Sequence, residues 1–184
     1  MIRIVQLTSA ATLALAATLL AVPATAQESG AEDLSDPEVA HVAVTANTID
    51  VELARLAKER SENPRVEGFA ESMIADHTAV NERARKLVQR LGVTPKENAV
   101  SRSLNEGAEQ ARDRLDALEG EAFDRAYIER EVQYHQAVID ALDNLLIPST
   151  ENAELRQLLE QVRPALVAHL EHAKQVQKSL GAAR

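Results

Sequence analysis

The chain has 184 residues, and neither cysteine nor tryptophan is among them. Without a thiol there is no disulfide framework, no thiol nucleophile, no thiolate metal site and no cysteine to carry a lipid anchor. Aromatic side chains are limited to Phe69, Phe123, Tyr127 and Tyr134, too few for a base-stacking platform. Positive charge is short as well: the formal net charge is -9, with acidic and basic residues interspersed. That balance argues against nucleic acid and against anionic membrane surfaces as partners. No Ser-His-Asp order, phosphate loop or paired-carboxylate hydrolase pattern is present, which speaks against an enzyme of those classes.

Long apolar runs are missing too, apart from one at the start. Arg3 precedes the apolar stretch Ile4 to Val22, which ends in Ala24-Thr25-Ala26. This is the order of a secretory signal, with cleavage expected after Ala26 and residues 1–26 removed. Nothing later approaches a membrane span, so the expected product is a soluble periplasmic protein without stable membrane insertion. Residues 27–35 read as a flexible tail, and residues 36–181 as one helical domain long enough to bury a core unaided. A second copy or an envelope protein stays open as partner.

What is there is helical periodicity. Ser35-Asp36-Pro37-Glu38 opens a first helix with stripe Val39, Val42, Ala46, Ile49, Leu53, Leu56. Asn63-Pro64 restarts the chain as a second, with Val66, Phe69, Met73, His77, Val80, Ala84 and Leu87, ended by Gly92. Thr94-Pro95-Lys96-Glu97 reads as the capping box of a shorter, weaker third helix. Gly120 separates it from a fourth, with Phe123, Tyr127, Glu131, His135, Val138 and Leu142. The fourth stops at Ile147-Pro148, and Ser149-Thr150 read as caps for the last, which carries Leu155, Leu158, Val162, Leu166, His169, Ala173 and Val176. Pro164 inside this last helix predicts a kink. Short linkers make consecutive helices antiparallel, so the expected fold is an all-α, up-and-down four-helix bundle with an additional shorter helix.

Three histidines, His77, His135 and His169, fall on the apolar stripes of three different helices. A core face takes roughly three of every seven helical positions, so stripe placement alone says little. Height says more. With helices taken as 36–60, 63–91, 121–147 and 150–181, the midpoints fall near residues 48, 77, 134 and 165. His77 and His135 sit at mid-helix, and His169 lies about four residues from it, roughly 6 Å along the axis. Antiparallel helices of similar length share their mid-height, so the three imidazoles can form one layer.

Carboxylates gather at the same level. Glu131 and His135 are spaced i, i+4 on one face, Asp76 precedes His77, and Asp50 borders the stripe of the first helix, where a surface position is equally open to it. His172, i, i+3 from His169, either closes a chelate or is a solvated flank. Such an oxygen and nitrogen donor set without sulfur suits Zn, Cu(II), Fe, Mn or Ni. Ferritin-like di-iron sites add Glu-x-x-His on two helices, and that motif is absent from the second, fourth and last helices here.

These residues also resemble a known family. Phe69-Ala70-Glu71-Ser72-Met73-Ile74-Ala75-Asp76-His77-Thr78, then Phe123-Asp124-Arg125-Ala126-Tyr127, Glu131-Val132-Gln133-Tyr134-His135, Leu146-Ile147-Pro148 and His169-Leu170-Glu171-His172-Ala173 resemble the bacterial domain-of-unknown-function family 4142. The resemblance spans roughly residues 36–181 and implies an exported protein with a ferritin-like fold. It picks out Asp76-His77, His135 and His169-Leu170, and places Asp50 where the family usually has a glutamate.

Three functions compete at this point. One is a periplasmic bundle whose histidine and carboxylate layer binds a metal ion or small polar ligand, in envelope stress or metal handling. A second is a structural or interaction module in which a hydrogen-bonded layer only sets helix register. The third is a dinuclear-metal oxidase or catalase-like enzyme, which the missing Glu-x-x-His pairs count against.

Overall fold

Most of the long helices begin where a side chain satisfies a free backbone amide. In the computed structural model, which describes residues 34–182, helix α1 (Asp36–Arg60) is closed by Glu38, whose carboxylate accepts from the Ser35 amide at 3.0 Å and the Ser35 hydroxyl at 2.6 Å. The expected signal peptide and most of the tail lie outside the described residues. Leu34 and Ser35, at the end of the segment read as tail, belong to the folded body: Leu34 is buried in the core.

Helix α2 (Pro64–Leu91) is capped by Asn63, which accepts from the Arg65 amide, and ends at Gly92, whose φ of 66° is the left-handed cap that glycine adopts without strain. Helix α3 (Ala99–Asp116) starts later than the Thr94-Pro95-Lys96-Glu97 box predicts. The reason is tertiary. The Lys96 amide donates to Pro37 O at 2.9 Å, and Asn98 donates to Glu38 O at 3.1 Å while its own side chain caps Ser101. Docking onto α1 therefore keeps residues 93–98 out of the helix, and Asn98 becomes the cap.

Gly120, at φ 52°, turns the chain into α4 (Gly120–Ala141). The helix continues as a π-helical turn, Leu142–Leu146, and one last turn, α5 (Ile147–Ser149). Ser149 and Thr150 do not cap the final helix. The Thr150 hydroxyl points back, donating to Leu146 O at 2.6 Å, and Asn152 accepts from the Glu154 and Leu155 amides to begin α6 (Ala153–Gly181). Pro164 sits inside α6 without interrupting it.

The chain direction follows from these contacts. The start of α3 lies against the start of α1, and Arg60 at the end of α1 donates to Leu115 O near the end of α3. Hence α1 and α3 run the same way. Asp124 at the start of α4 accepts from the Ser61 hydroxyl at 2.6 Å, and Asp36 accepts from the Glu151 amide at 2.9 Å beyond its end. Consecutive helices thus alternate in direction, as expected. The four long ones, α1, α2, α4 and α6, run up, down, down and up because α3 carries the chain back along α1, the ferritin-like arrangement with one long crossover.

The core comes in two apolar halves. One, toward the start of α1, contains Val39, Val42, Leu87, Leu142, Leu155 and Leu159. The other contains Leu53, Phe69, Met73, Phe123, Tyr127 and Val176. Between them, at mid-height, lie the buried polar residues Asp50, His77, Glu131, His135 and His169. No described helix is long and apolar enough to cross a membrane.

Candidate metal centre

Four helices each supply part of the polar layer. Helix α1 presents Asn47 and Asp50 three residues apart, α2 presents Asp76 and His77, α4 presents Arg130, Glu131, Tyr134 and His135, and α6 presents His169. The imidazole centroids lie 5.7 Å (His77 to His135), 5.1 Å (His77 to His169) and 5.5 Å (His135 to His169) apart.

Each ring has one nitrogen held by an acceptor on its outer side. His77 Nδ1 lies 2.6 Å from Asn47 Oδ1. The Asn47 amide is oriented by its own donation to Ala43 O at 2.8 Å, so its oxygen faces His77 and Nδ1 must donate. His135 Nδ1 donates to the Glu131 carbonyl at 3.0 Å. His169 Nε2 donates to Asp76 Oδ2 at 2.9 Å.

The other nitrogen of each ring, His77 Nε2, His135 Nε2 and His169 Nδ1, is buried without a hydrogen-bond partner. The three residues bring ligand atoms within 4.8 Å of one another. Asp50, fully buried, joins them from α1: its Oδ2 is 2.9 Å from His77 Nε2 and 3.4 Å from His135 Nε2, in contact but not aligned for a hydrogen bond. With Nδ1 of His77 committed to Asn47, its Nε2 lone pair would meet a carboxylate head-on. Only a cation between them, a proton or a metal ion, makes that contact favourable.

Electrostatics sort the layer into distinct roles. Burial pushes His135 down to about 4, against the attraction of Asp50, so its ring is neutral near pH 7. Burial also lowers His169, with Asp76 opposing. Asp50 would be raised by burial, but His77, His135 and Arg130 more than offset this and hold its carboxyl below the usual range. Glu131 moves the other way: burial and the neighbouring charge of Asp50 push its carboxyl well up. Arg130 donates to Glu131 Oε1, lies 3.8 Å from Asp50 Oδ1, and places its guanidinium over the Tyr134 ring. Tyr134 in turn donates to Ala46 O at 2.9 Å.

Of the residues singled out from sequence, His77, His135, His169, Asp50 and Glu131 meet in the layer. Asp50 is central to it, not at the surface. Asp76 stands at the edge of the layer, its side chain 58% exposed, and pairs with His169. His172 does not join the cluster; it packs edge-on against Phe69 at 5.1 Å. Sequence reasoning missed Asn47 and Arg130. Asn47 was detectable as the i−3 neighbour of Asp50 on the same face; Arg130, adjacent to Glu131, enters the layer only through the length of its side chain.

The three histidines, with Asp50, Asn47 and Asp76, line one end of a cavity of about 60 Å³ whose walls are mostly apolar, while their unpartnered nitrogens stay closed to water.

No curated protein matches the sequence. Among solved structures, the chain is similar to "CopM in the Cu(II)-bound form", at 18% identity and a TM-score of 0.61, over 79% of this chain and 98% of that one. At that identity the likeness shows the fold, an independent instance of the same helical arrangement. The sequence motifs around Asp76-His77, His135 and His169 have their own match: the model of DUF4142, a domain of unknown function, covers residues 20–176, and the chain belongs to that family.

Proposed function

We propose that this protein binds one divalent metal ion in the mid-bundle layer, through His77 Nε2, His135 Nε2, His169 Nδ1 and Asp50, and that it handles metal in the periplasm after export. The observation that carries this is the orientation of the three imidazoles. Each is fixed from outside by an acceptor and turns an unpartnered, buried nitrogen inward. That is how proteins orient histidine ligands, the outer hydrogen bond setting tautomer and ring plane. A layer that only set helix register would pair those nitrogens, because each buried unsatisfied group costs about 1–3 kcal/mol.

The donor set favours one ion over two. Asp50, Glu131 and His135 form a second group of close donors. Yet His135 Nδ1 is committed to the Glu131 carbonyl, and the Arg130 guanidinium already brings positive charge to both carboxylates. Three imidazoles and a carboxylate suit Cu(II), Zn, Fe or Ni, and Cu(II) heads the affinity order for such ligands. The Cu(II) named for the structural neighbour supports that choice.

The test is metal content and titration of the mature protein purified without an affinity tag, beside His77→Ala and His135→Ala. One equivalent of Cu(II) bound by the wild type and lost in both variants is the expected result. Equal binding by all three proteins overturns the proposal.

A further inference from the structure

The cavity at the metal layer does not end there. Beyond the imidazoles it extends toward the start of α1, between walls formed by Val138, Leu142, Leu146, Leu159, Val162 and Leu166. Val138 is one turn past His135 on α4, and Leu166 is one turn before His169 on α6, so the apolar stretch adjoins the histidine layer. Its floor comes from an irregularity in the fold: Leu142 and Leu146 are the two ends of the π-helical turn. The i→i+5 bonding of such turns departs from regular helical packing, and they recur at functional sites.

We infer that this chamber is a binding site for a small neutral molecule of dioxygen size, lying against the metal layer. Three properties select that class. The space, about 60 Å³, is well under the roughly 150 Å³ of an apolar cavity that admits benzene, which excludes organic substrates. No lysine or arginine lines it, while Asp50 and Asp76 stand at its polar end. Anions are therefore disfavoured. The aliphatic walls offer a cation or a hydrogen-bonding solute nothing beyond the polar end, so the chamber itself suits an apolar guest. The inference rests on the metal proposal only for what the guest meets at the imidazole end; the chamber exists in the chain without metal.

Dioxygen is itself the probe, because it is paramagnetic. Methyl-resolved nuclear magnetic resonance of the metal-free protein is recorded under dioxygen and under nitrogen at equal pressure. The methyls of Leu142, Leu159 and Leu166 are expected to relax several-fold faster under dioxygen than those of Leu53 and Val176, which are as buried in the other apolar half. The excess is lost in Val162→Phe, which fills the chamber from α6. Ala43→Leu fills it from α1 and decides the matter if the first variant fails to fold. A uniform response across both halves overturns the inference, as does an excess that survives in the folded filled variants. Because no metal is present, this outcome is separate from the metal titration, and a protein that takes up Cu(II) but shows no chamber response sinks only the chamber.

Discussion

At the scale of single residues, the layer works through hydrogen bonds that the ligands make on their far sides. Asn47 fixes the His77 tautomer without contributing to the metal position. Removing it in Asn47→Ala lets His77 rotate and change tautomer, and the expected cost is about 10–100-fold in metal affinity. A competition titration against a chelator measures it. His135 gives a pH signature. Its folded value is depressed to about 4 from 6.5, so between those values the unfolded chain holds a proton that the folded one refuses. Stability therefore rises with pH across that window and is lost as pH falls through it, by about 3 kcal/mol in all. Urea unfolding of the metal-free wild type and His135→Leu, compared at pH 4.5 and 7, isolates this contribution: the wild type is expected to lose more on acidification than the variant. The histidines were readable from stripe and height because both are set by helix geometry. The tautomers, and the central place of Asp50, were not, since they depend on which side chain of another helix stands opposite.

At the scale of elements, α1, α2 and the body of α4 follow their caps and periodicity closely, and the two misplaced starts share a cause. Thr94 and Thr150 look like caps in sequence, but tertiary contacts take the chain elsewhere: Lys96 and Asn98 dock on the first turn of α1, and the Thr150 hydroxyl turns back to Leu146. The π-helical turn Leu142–Leu146 lies just ahead of Pro148, whose missing amide reads in sequence only as a helix stop. Helix α3 is the loosely held element. Only Ser101 and Leu115 of it are buried, against about ten residues along α1, and a buried Leu contributes roughly 1.5–3 kcal/mol. Amide exchange is expected to open α3 before α1, α2, α4 and α6. Asn98→Ala, which removes the cap of Ser101 and the link to Glu38, is expected to cost about 1–2 kcal/mol and to speed exchange in α3 while sparing the layer. Exchange that is uniform along the chain would contradict this picture.

At the scale of the whole molecule, a polar layer separates two apolar halves. Without a bound cation, the unpartnered buried nitrogens weigh against the folded state. An ion that binds only the folded chain stabilises it by mass action, about 2.7 kcal/mol at a free concentration of 100 times Kd. Thermal unfolding with and without Cu(II) is expected to show a rise in Tm for the wild type and none for a His77→Ala/His135→Ala double variant. The bundle itself was legible because cap residues and apolar stripes are local. The direction of the long helices, up, down, down and up, was less so, because it depends on α3 serving as the crossover. The likeness to the Cu(II)-bound structure at 18% identity shows the same fold carried by a very different sequence.

The central claim is that the three inward-facing nitrogens hold one ion. Anomalous diffraction at the copper edge, from crystals of tag-free protein given one equivalent of Cu(II), tests it most directly. A single dominant peak bounded by His77 Nε2, His135 Nε2 and His169 Nδ1 is the expected result. Copper found only at His41, His172 or other positions outside the layer, with none among those three nitrogens, would contradict it.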